Sequence, residues 1–139
     1  NGLRALPSDT DFVIVHDGVR PFVTDEIIFN CIEAADEHGA AIAAVPVKDT
    51  IKLVTPDQMV SETPDRSQLW AAQTPQVFRY DLLLEAHRTC TQDVTDDAAM
   101  VEALGHPVKM FLGAYENIKV ATADDLVVAE AFLKGSART

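Results

Sequence analysis

Basic residues are scarce in this chain: 11 Lys and Arg stand against 22 Asp and Glu in 139 residues, a formal charge of −11 at pH 7. So acidic a surface repels phosphate polymers at long range, which argues against general nucleic-acid binding. A small phosphorylated ligand still fits wherever a few cations converge. Long apolar runs are also missing, since all fall far short of the ~20 residues that span a bilayer, and no membrane partner is expected. No charged-then-apolar leader opens the chain. The two cysteines, Cys31 and Cys90, lie far apart without a C-x-x-C, which provides no disulfide framework and suits a reducing cytoplasm. Neither phosphate-cradling pattern, G-x-x-x-x-G-K-S/T or G-x-G-x-x-G, occurs, and no G-x-S-x-G marks a serine-hydrolase elbow. His16, His38, His87 and His106 show no zinc spacing.

What remains is globular. Hydrophobic residues make up 47% and charged residues 24% of a length that suits one domain with a core of its own. The chain opens without Met, and Leu3, Ala5 and Leu6 read as the tail of a helix stopped by Pro7. The expectation is a piece of a longer reading frame.

Phe12 to Val15 is a continuous β-branched and aromatic run, as in a parallel strand covered on both faces. Thr24 is placed to cap a helix with Asp25 and Glu26 in its first turn and Ile27, Ile28, Cys31, Ile32 and Ala35 at helical spacing, ended by Gly39. Ala40 to Val45 is a second strand, completing a βαβ unit with an expected right-handed crossover. Alternation over residues 49–54, a turn at Thr55-Pro56-Asp57 and a return over residues 59–63 predict a projecting hairpin. Further helices are expected at Asp81 to Cys90, from Thr95 as N-cap through Leu104, and from Ala123 to Lys134. Short strands are expected at Val108 to Leu112 and Ile118 to Ala121. The sum is one α/β domain carrying a hairpin arm.

In parallel α/β sheets ligands gather beyond strand ends. His16-Asp17-Gly18-Val19-Arg20-Pro21 directly follows the first strand. Asp17 can accept from hydroxyls or meet a divalent cation, and Arg20 can fork onto an anion, or the two pair to steady a turn. Pro46-Val47-Lys48-Asp49-Thr50 reads alone as the turn at the hairpin's base. Arg66, in Asp65-Arg66-Ser67-Gln68-Leu69-Trp70, is a phosphate anchor or a solvated cation, and Trp70 reads as a packing anchor. Thr95 reads alone as a cap. Lys119, inside an expected apolar strand, requires a partner or a ligand for its charge. Cys31, on an apolar helix face, reads as an inert buried thiol.

Taken in order, these segments, with Gln73-Thr74-Pro75-Gln76, Thr95-Asp96-Asp97-Ala98 and Asn117-Ile118-Lys119, closely resemble the 2-C-methyl-D-erythritol 4-phosphate cytidylyltransferases of the non-mevalonate isoprenoid pathway. The resemblance runs from Phe12 to about Lys134. It implies a Rossmann-like, doubly wound mixed sheet of the nucleotidyltransferase, glycosyltransferase-A-like kind, incomplete on its N-terminal side, with residues 1–139 forming a partial cytidylyltransferase domain. The arm around residues 47–66 resembles a dimerisation arm that reaches over a second subunit of a homodimer. The implied reaction is attack of the methylerythritol phosphate on the α-phosphorus of CTP, with Mg²⁺ present, releasing pyrophosphate.

By the same resemblance, Arg66 and Lys119 are the catalytic cations that hold and aim the attacking phosphate. Thr74 and Thr95 bind that phosphate, while Asp17, Arg20 and Thr50 line the polyol pocket, with Asp17 nearest the metal. Arg66 and Thr50 are candidates for serving the partner's site. The implied location is the cytoplasm, or a plastid in a plant or alga. The family's glycine-rich nucleotide loop, with its own Arg and Lys, has no counterpart here, so the isolated chain is expected not to turn over and to be labile or to aggregate. Alternatives are a ribitol 5-phosphate cytidylyltransferase, which shares much of the pattern, and a non-catalytic sugar-phosphate-binding or dimerisation module.

Overall fold

The computed structural model describes residues 2–136. Its centre is a mixed sheet in the order β1 (Phe12–Val15), β5 (Trp70–Arg79), β2 (Ala40–Pro46), β6 (Lys109–Leu112). β5 runs antiparallel to both of its neighbours, and β2 pairs parallel with β6. β1 and β2 are therefore parallel, as the βαβ reading requires, but β5 lies between them. Within the described residues β1 is an edge strand with Ile14 substantially exposed, rather than a strand covered on both faces.

The two-residue period of the strands sorts their side chains between two helical layers. On one face Ala40, Ile42 and Phe78 pack with Leu83 and Ala86 of α2 (Tyr80–Thr89) and Ala98 and Val101 of α3 (Asp97–Ala103). On the other, Ala41 and Val77 meet Cys31 and Ala35 of α1 (Asp25–His38). Register keeps the layers distinct, because Ala40 stands opposite Phe78 and Ala41 opposite Val77. The small residues of β2, buried from Ala40 to Val45, let helices approach closely from both sides.

The helix ends follow local chemistry. Thr24 Oγ1 accepts the Ile27 N–H at 3.2 Å, and Gly39 takes a φ of 86° while donating to the Ala35 carbonyl at 2.7 Å. At α3 the cap is Asp96, accepting from Ala99 at 2.9 Å, and not Thr95, which stands one residue outside. α4 (Ala123–Ser136) starts with a reciprocal cap between Thr122 and Asp125, and its Phe132 meets Phe22 edge-on at 5.6 Å. The two backbone N–H groups received by Asp125 hold its carboxyl below the usual range. Leu3 opens the chain in a 3₁₀ turn, Gly2–Ala5, and packs against the α2/α3 layer.

Residues 118–121 form no strand; they run as irregular chain held by the Val120 N–H on the Val19 carbonyl at 2.8 Å. The ten-residue β5 went unread because Gln73, Pro75 and Gln76 break the apolar texture that marks a strand. The hairpin is present as β3 (Leu53–Val54) and β4 (Val60–Glu62), a separate two-stranded sheet with both strands exposed. No helix among the described residues is long and apolar enough to cross a membrane. Cys31 is fully buried, which pushes its thiol up to about 12 and leaves it inert.

Phe78 is the largest fully buried side chain. Phe78→Ala is expected to destabilise the chain by about 3–5 kcal/mol, whereas Phe29→Ala, at a 68% exposed position, shifts stability by less than about 0.5 kcal/mol. Urea denaturation midpoints of the two variants read the difference.

Candidate functional site

The register of β1 on β5 builds the site. Phe12 pairs with Arg79 and Val15 with Gln76, and the same register carried two residues further sets Asp17 opposite Thr74. Proline at 75 has no N–H to continue the ladder. Beyond the last paired residues the Asp17 N–H donates to Thr74 Oγ1 at 3.0 Å. Thr74 Oγ1 also lies 2.9 Å from His16 Nδ1, and His16 Nε2 lies 3.1 Å from the Arg20 carbonyl.

Arg20 folds back over this corner. Its Nε donates to Asp17 Oδ2 at 3.1 Å and its Nη1 to the Asn117 carbonyl at 2.8 Å. Lys119 Nζ approaches the same Asp17 oxygen at 3.5 Å, with 55% of its side chain exposed. Asp17 thus gathers a guanidinium from its own loop and an ammonium about a hundred residues away in sequence. Partial burial acts to raise the Asp17 pKa, but the hydrogen bond from Arg20 and the charges of Lys119 and Arg20 outweigh it and hold the carboxyl below its usual range.

Beneath them lies a buried amide knot. Asn117, with no exposed surface, donates through Nδ2 to the Thr74 carbonyl at 2.8 Å and to Gln73 Oε1 at 3.2 Å. Gln73 in turn donates to the Ala114 carbonyl at 2.9 Å. Gly113 makes room for this knot, since a Cβ there would stand 2.5 Å from Gln73 Oε1. Gln76 satisfies both ends of its amide at the start of α3, donating to Asp96 Oδ2 at 3.0 Å and accepting the Ala98 N–H at 3.2 Å.

The result is a cleft of about 250 Å³ lined by Asp17, Arg20, Thr74, Thr95, Asp96 and Lys119 above Gln73 and Gln76. Five of the residues anticipated from sequence meet here: Asp17, Arg20, Thr74, Thr95 and Lys119. Thr50 and Arg66 do not line it. Arg66, exposed at the base of the arm, donates to the Lys48 carbonyl at 2.6 Å, and Thr50, just after Lys48 in sequence, is also exposed. Trp70 is 39% exposed at the start of β5 and is no packing anchor within this chain. His16, Gln73, Gln76 and Asn117 were not anticipated as site residues, although each falls within a segment that resembles the family. A wider concavity of about 570 Å³ near Asp11, Asp36, Arg79 and Asp81 sets three carboxylates against one guanidinium, and so disfavours an anion.

As for a metal, a hard dication needs several oxygens. Asp17 Oδ2 already faces two cations, and among the described residues no group of three His, Cys, Asp or Glu is placed to hold an ion. Among the described residues these groups do not by themselves make a Mg²⁺ site.

The sequence matches the protein family described as 2-C-methyl-D-erythritol 4-phosphate cytidylyltransferase over residues 1–135. The chain belongs to this family. It is 53% identical over 137 residues to the 2-C-methyl-D-erythritol 4-phosphate cytidylyltransferase of Desulforamulus reducens and 52% identical to that of Alkaliphilus oremlandii, with 96% of the chain aligned in both cases. It spans 58% of the length of each of these curated relatives. Among solved structures, the 4-diphosphocytidyl-2C-methyl-D-erythritol synthase of Anaerococcus prevotii superposes with a TM-score of 0.88 at 36% identity, covering 96% of this chain and 61% of the other. The Thermus thermophilus 2-C-methyl-D-erythritol 4-phosphate cytidylyltransferase gives 0.84 at 36% identity, covering 95% and 65%. The mixed sheet of this cytidylyltransferase-family chain is thus the nucleotidyltransferase fold expected from sequence.

Asn117→Asp turns two amide donations into oxygen–oxygen contacts inside the protein. It is expected to cost about 1–3 kcal/mol or more in thermal or urea unfolding at neutral pH. For Asp17, the lowered folded-state pKa means that its ion pairs contribute fully above the unfolded carboxylate value near pH 4 and are lost as pH falls through the lowered value. With partial exposure the contribution is below about 1 kcal/mol. The stability gap between the unsubstituted chain and Asp17→Asn is expected to be largest at neutral pH and to close below roughly pH 4, as urea titrations at pH 3 and 7 measure.

Proposed function

We propose that the cleft binds the phosphomonoester of a short branched polyol, and that the intact protein transfers CMP from CTP to 2-C-methyl-D-erythritol 4-phosphate. The products are 4-diphosphocytidyl-2-C-methyl-D-erythritol and pyrophosphate. The observation that carries this reading is the convergence of Arg20 and Lys119 on Asp17 beside Thr74 and Thr95, a local pair of cations on a chain of charge −11. The relatives' names support the methylerythritol substrate over ribitol 5-phosphate.

A phosphate oxygen of the acceptor forms the new bond to the α-phosphorus while the bond from that phosphorus to the bridging oxygen of the pyrophosphate breaks. Both reactants are polyanions, so the protein's work is positioning and charge neutralisation. Lys119, half exposed and touching one carboxylate oxygen, keeps N–H donors for a phosphate. Arg20 has two donors fixed, which aims the rest of its fork. Asp17 keeps the two cations together before ligand arrives. CTP is the co-reactant in this proposal, and a divalent cation accompanying its triphosphate would add charge neutralisation there.

The arm supports the homodimer reading. An isolated two-stranded ribbon is marginal in water, and Leu53, Val54, Met59 and Val60 expose apolar surface that a second copy would cover. In that arrangement Arg66 and Thr50 serve the partner's cleft.

Calorimetric titration of 2-C-methyl-D-erythritol 4-phosphate into the chain tests the acceptor site. Saturable binding is expected, weakened about tenfold or more by Lys119→Ala, as the loss of a charge-assisted hydrogen bond worth about 1.5–3 kcal/mol requires. Tighter binding of ribitol 5-phosphate, or binding indifferent to Lys119, refutes the assignment.

A further inference from the structure

Cations also gather away from the cleft. α2 carries Leu84, His87 and Arg88 at spacings of three and four, which sets them on one face of the helix. The 3₁₀ turn Gly2–Ala5 lays Leu3 and Arg4 against that face, and the five side chains line a concavity of about 220 Å³. Leu3 packs on the cluster that holds Leu83, Ala86, Ala98 and Val101, so an apolar contact keeps the turn in place.

The two guanidiniums of this concavity are unspent. Arg4 and Arg88 make no hydrogen bond, ion pair or ring contact, and among the described residues the same holds of one other Lys or Arg, Lys109. On a chain with 22 acidic residues against 11 basic ones, a cation without a carboxylate partner is unexpected. Neighbouring acids are committed elsewhere. Asp97 accepts from His87 Nε2 at 2.7 Å, and Asp81 and Glu85, on the same helix as Arg88, line a different concavity with Arg79. The lining thus offers two full positive charges and no carboxylate, over the apolar surface of Leu3 and Leu84.

A guanidinium presents a planar fork of donors that suits the oxygens of a phosphate or a carboxylate. Two such charges match a phosphomonoester dianion, whereas a carboxylate leaves one of them unmet. The leucines favour a hydrocarbon body over a hydroxylated one. We propose that this concavity is a second ligand site, which takes a phosphomonoester with a small hydrocarbon body, its phosphate on Arg4 and Arg88 and its body on Leu3 and Leu84. It shares no lining residue with the cleft. The inference therefore stands apart from the acceptor-site reading.

The test titrates phenyl phosphate into the whole chain at pH 8, where the ligand is a dianion, and follows the leucine methyl groups by ¹H–¹³C spectra. Saturable shifts of the Leu3 and Leu84 methyls are expected. Inorganic phosphate, which lacks the ring, and benzyl alcohol, which lacks the charge, should each bind about tenfold more weakly or worse, and benzoate should also bind more weakly than phenyl phosphate. Arg4→Gln or Arg88→Gln should weaken phenyl phosphate about tenfold, and Leu84→Ala should weaken it several-fold while leaving inorganic phosphate unchanged. Lys119→Ala, in the cleft, should leave the Leu84 shifts as they are. Leu84 methyls that stay still at about 10 mM phenyl phosphate, inorganic phosphate binding as tightly as the phenyl ester, benzoate binding more tightly, or loss of the shifts in Lys119→Ala each overturn the proposal. The comparison of ligands on the unsubstituted chain decides by itself, whatever the variants do to folding.

Discussion

The cleft depends on one seam, the place where the antiparallel pairing of β1 with β5 runs out. Backbone pairing proceeds from Phe12 and Arg79 to Val15 and Gln76 and then meets Pro75, which has no proton to give. Beyond that point the contact is through a side chain, the Thr74 hydroxyl oxygen receiving the Asp17 N–H. Much of the cleft meets at that contact: His16 and Asp17 come from one strand end, Thr74 from the other, and the 113–119 segment is tied in by the Asn117 amide donated to the Thr74 carbonyl. A one-residue slip would turn Thr74 to the opposite face and scatter these groups.

Charge then has a local meaning opposite to its global one. The chain is strongly acidic, yet Asp17 holds Arg20 and Lys119 within one cleft, so attraction for a small phosphate is restricted to a few ångströms. At physiological ionic strength, charges beyond about 8 Å are largely screened, so the adjoining cations dominate what a bound phosphate feels. Because the Asp17 carboxyl is only partly buried, its ion pairs are weak, which suits the proposed exchange for ligand contacts.

Much of this architecture was legible in sequence. The α1 cap at Thr24, its stop at Gly39 and its buried stripe Ile27, Cys31, Ala35 follow from spacing alone. β5 was not legible, because a central strand containing Gln73, Thr74, Pro75 and Gln76 looks like a loop until its amides are seen bonded to Asn117, Asp96 and Ala98. Lys119 was flagged for the right reason, a charge that needs a partner, on the wrong element: it lies in irregular chain where Asp17 reaches it. Asn117 and His16 carry no signal of their own, since a buried Asn and a half-exposed His acquire a role only through neighbours more than forty residues away.

Thr50 and Arg66 show what order along the chain leaves open. The resemblance groups them with Lys119 in one site while leaving them as candidates for the partner's, and within this chain they sit at the root of the arm. That root is not independent of the cleft. The Tyr115 hydroxyl donates to the Pro46 carbonyl at 2.7 Å, the Lys48 ammonium lies 3.7 Å from the centre of the Tyr115 ring, and Arg66 closes onto the Lys48 carbonyl. Tyr115 belongs to the same short segment as Ala114 and Asn117, which knot the cleft from below. The segment after β6 therefore makes contacts on two sides, with the amides under the cleft and with the root of the arm.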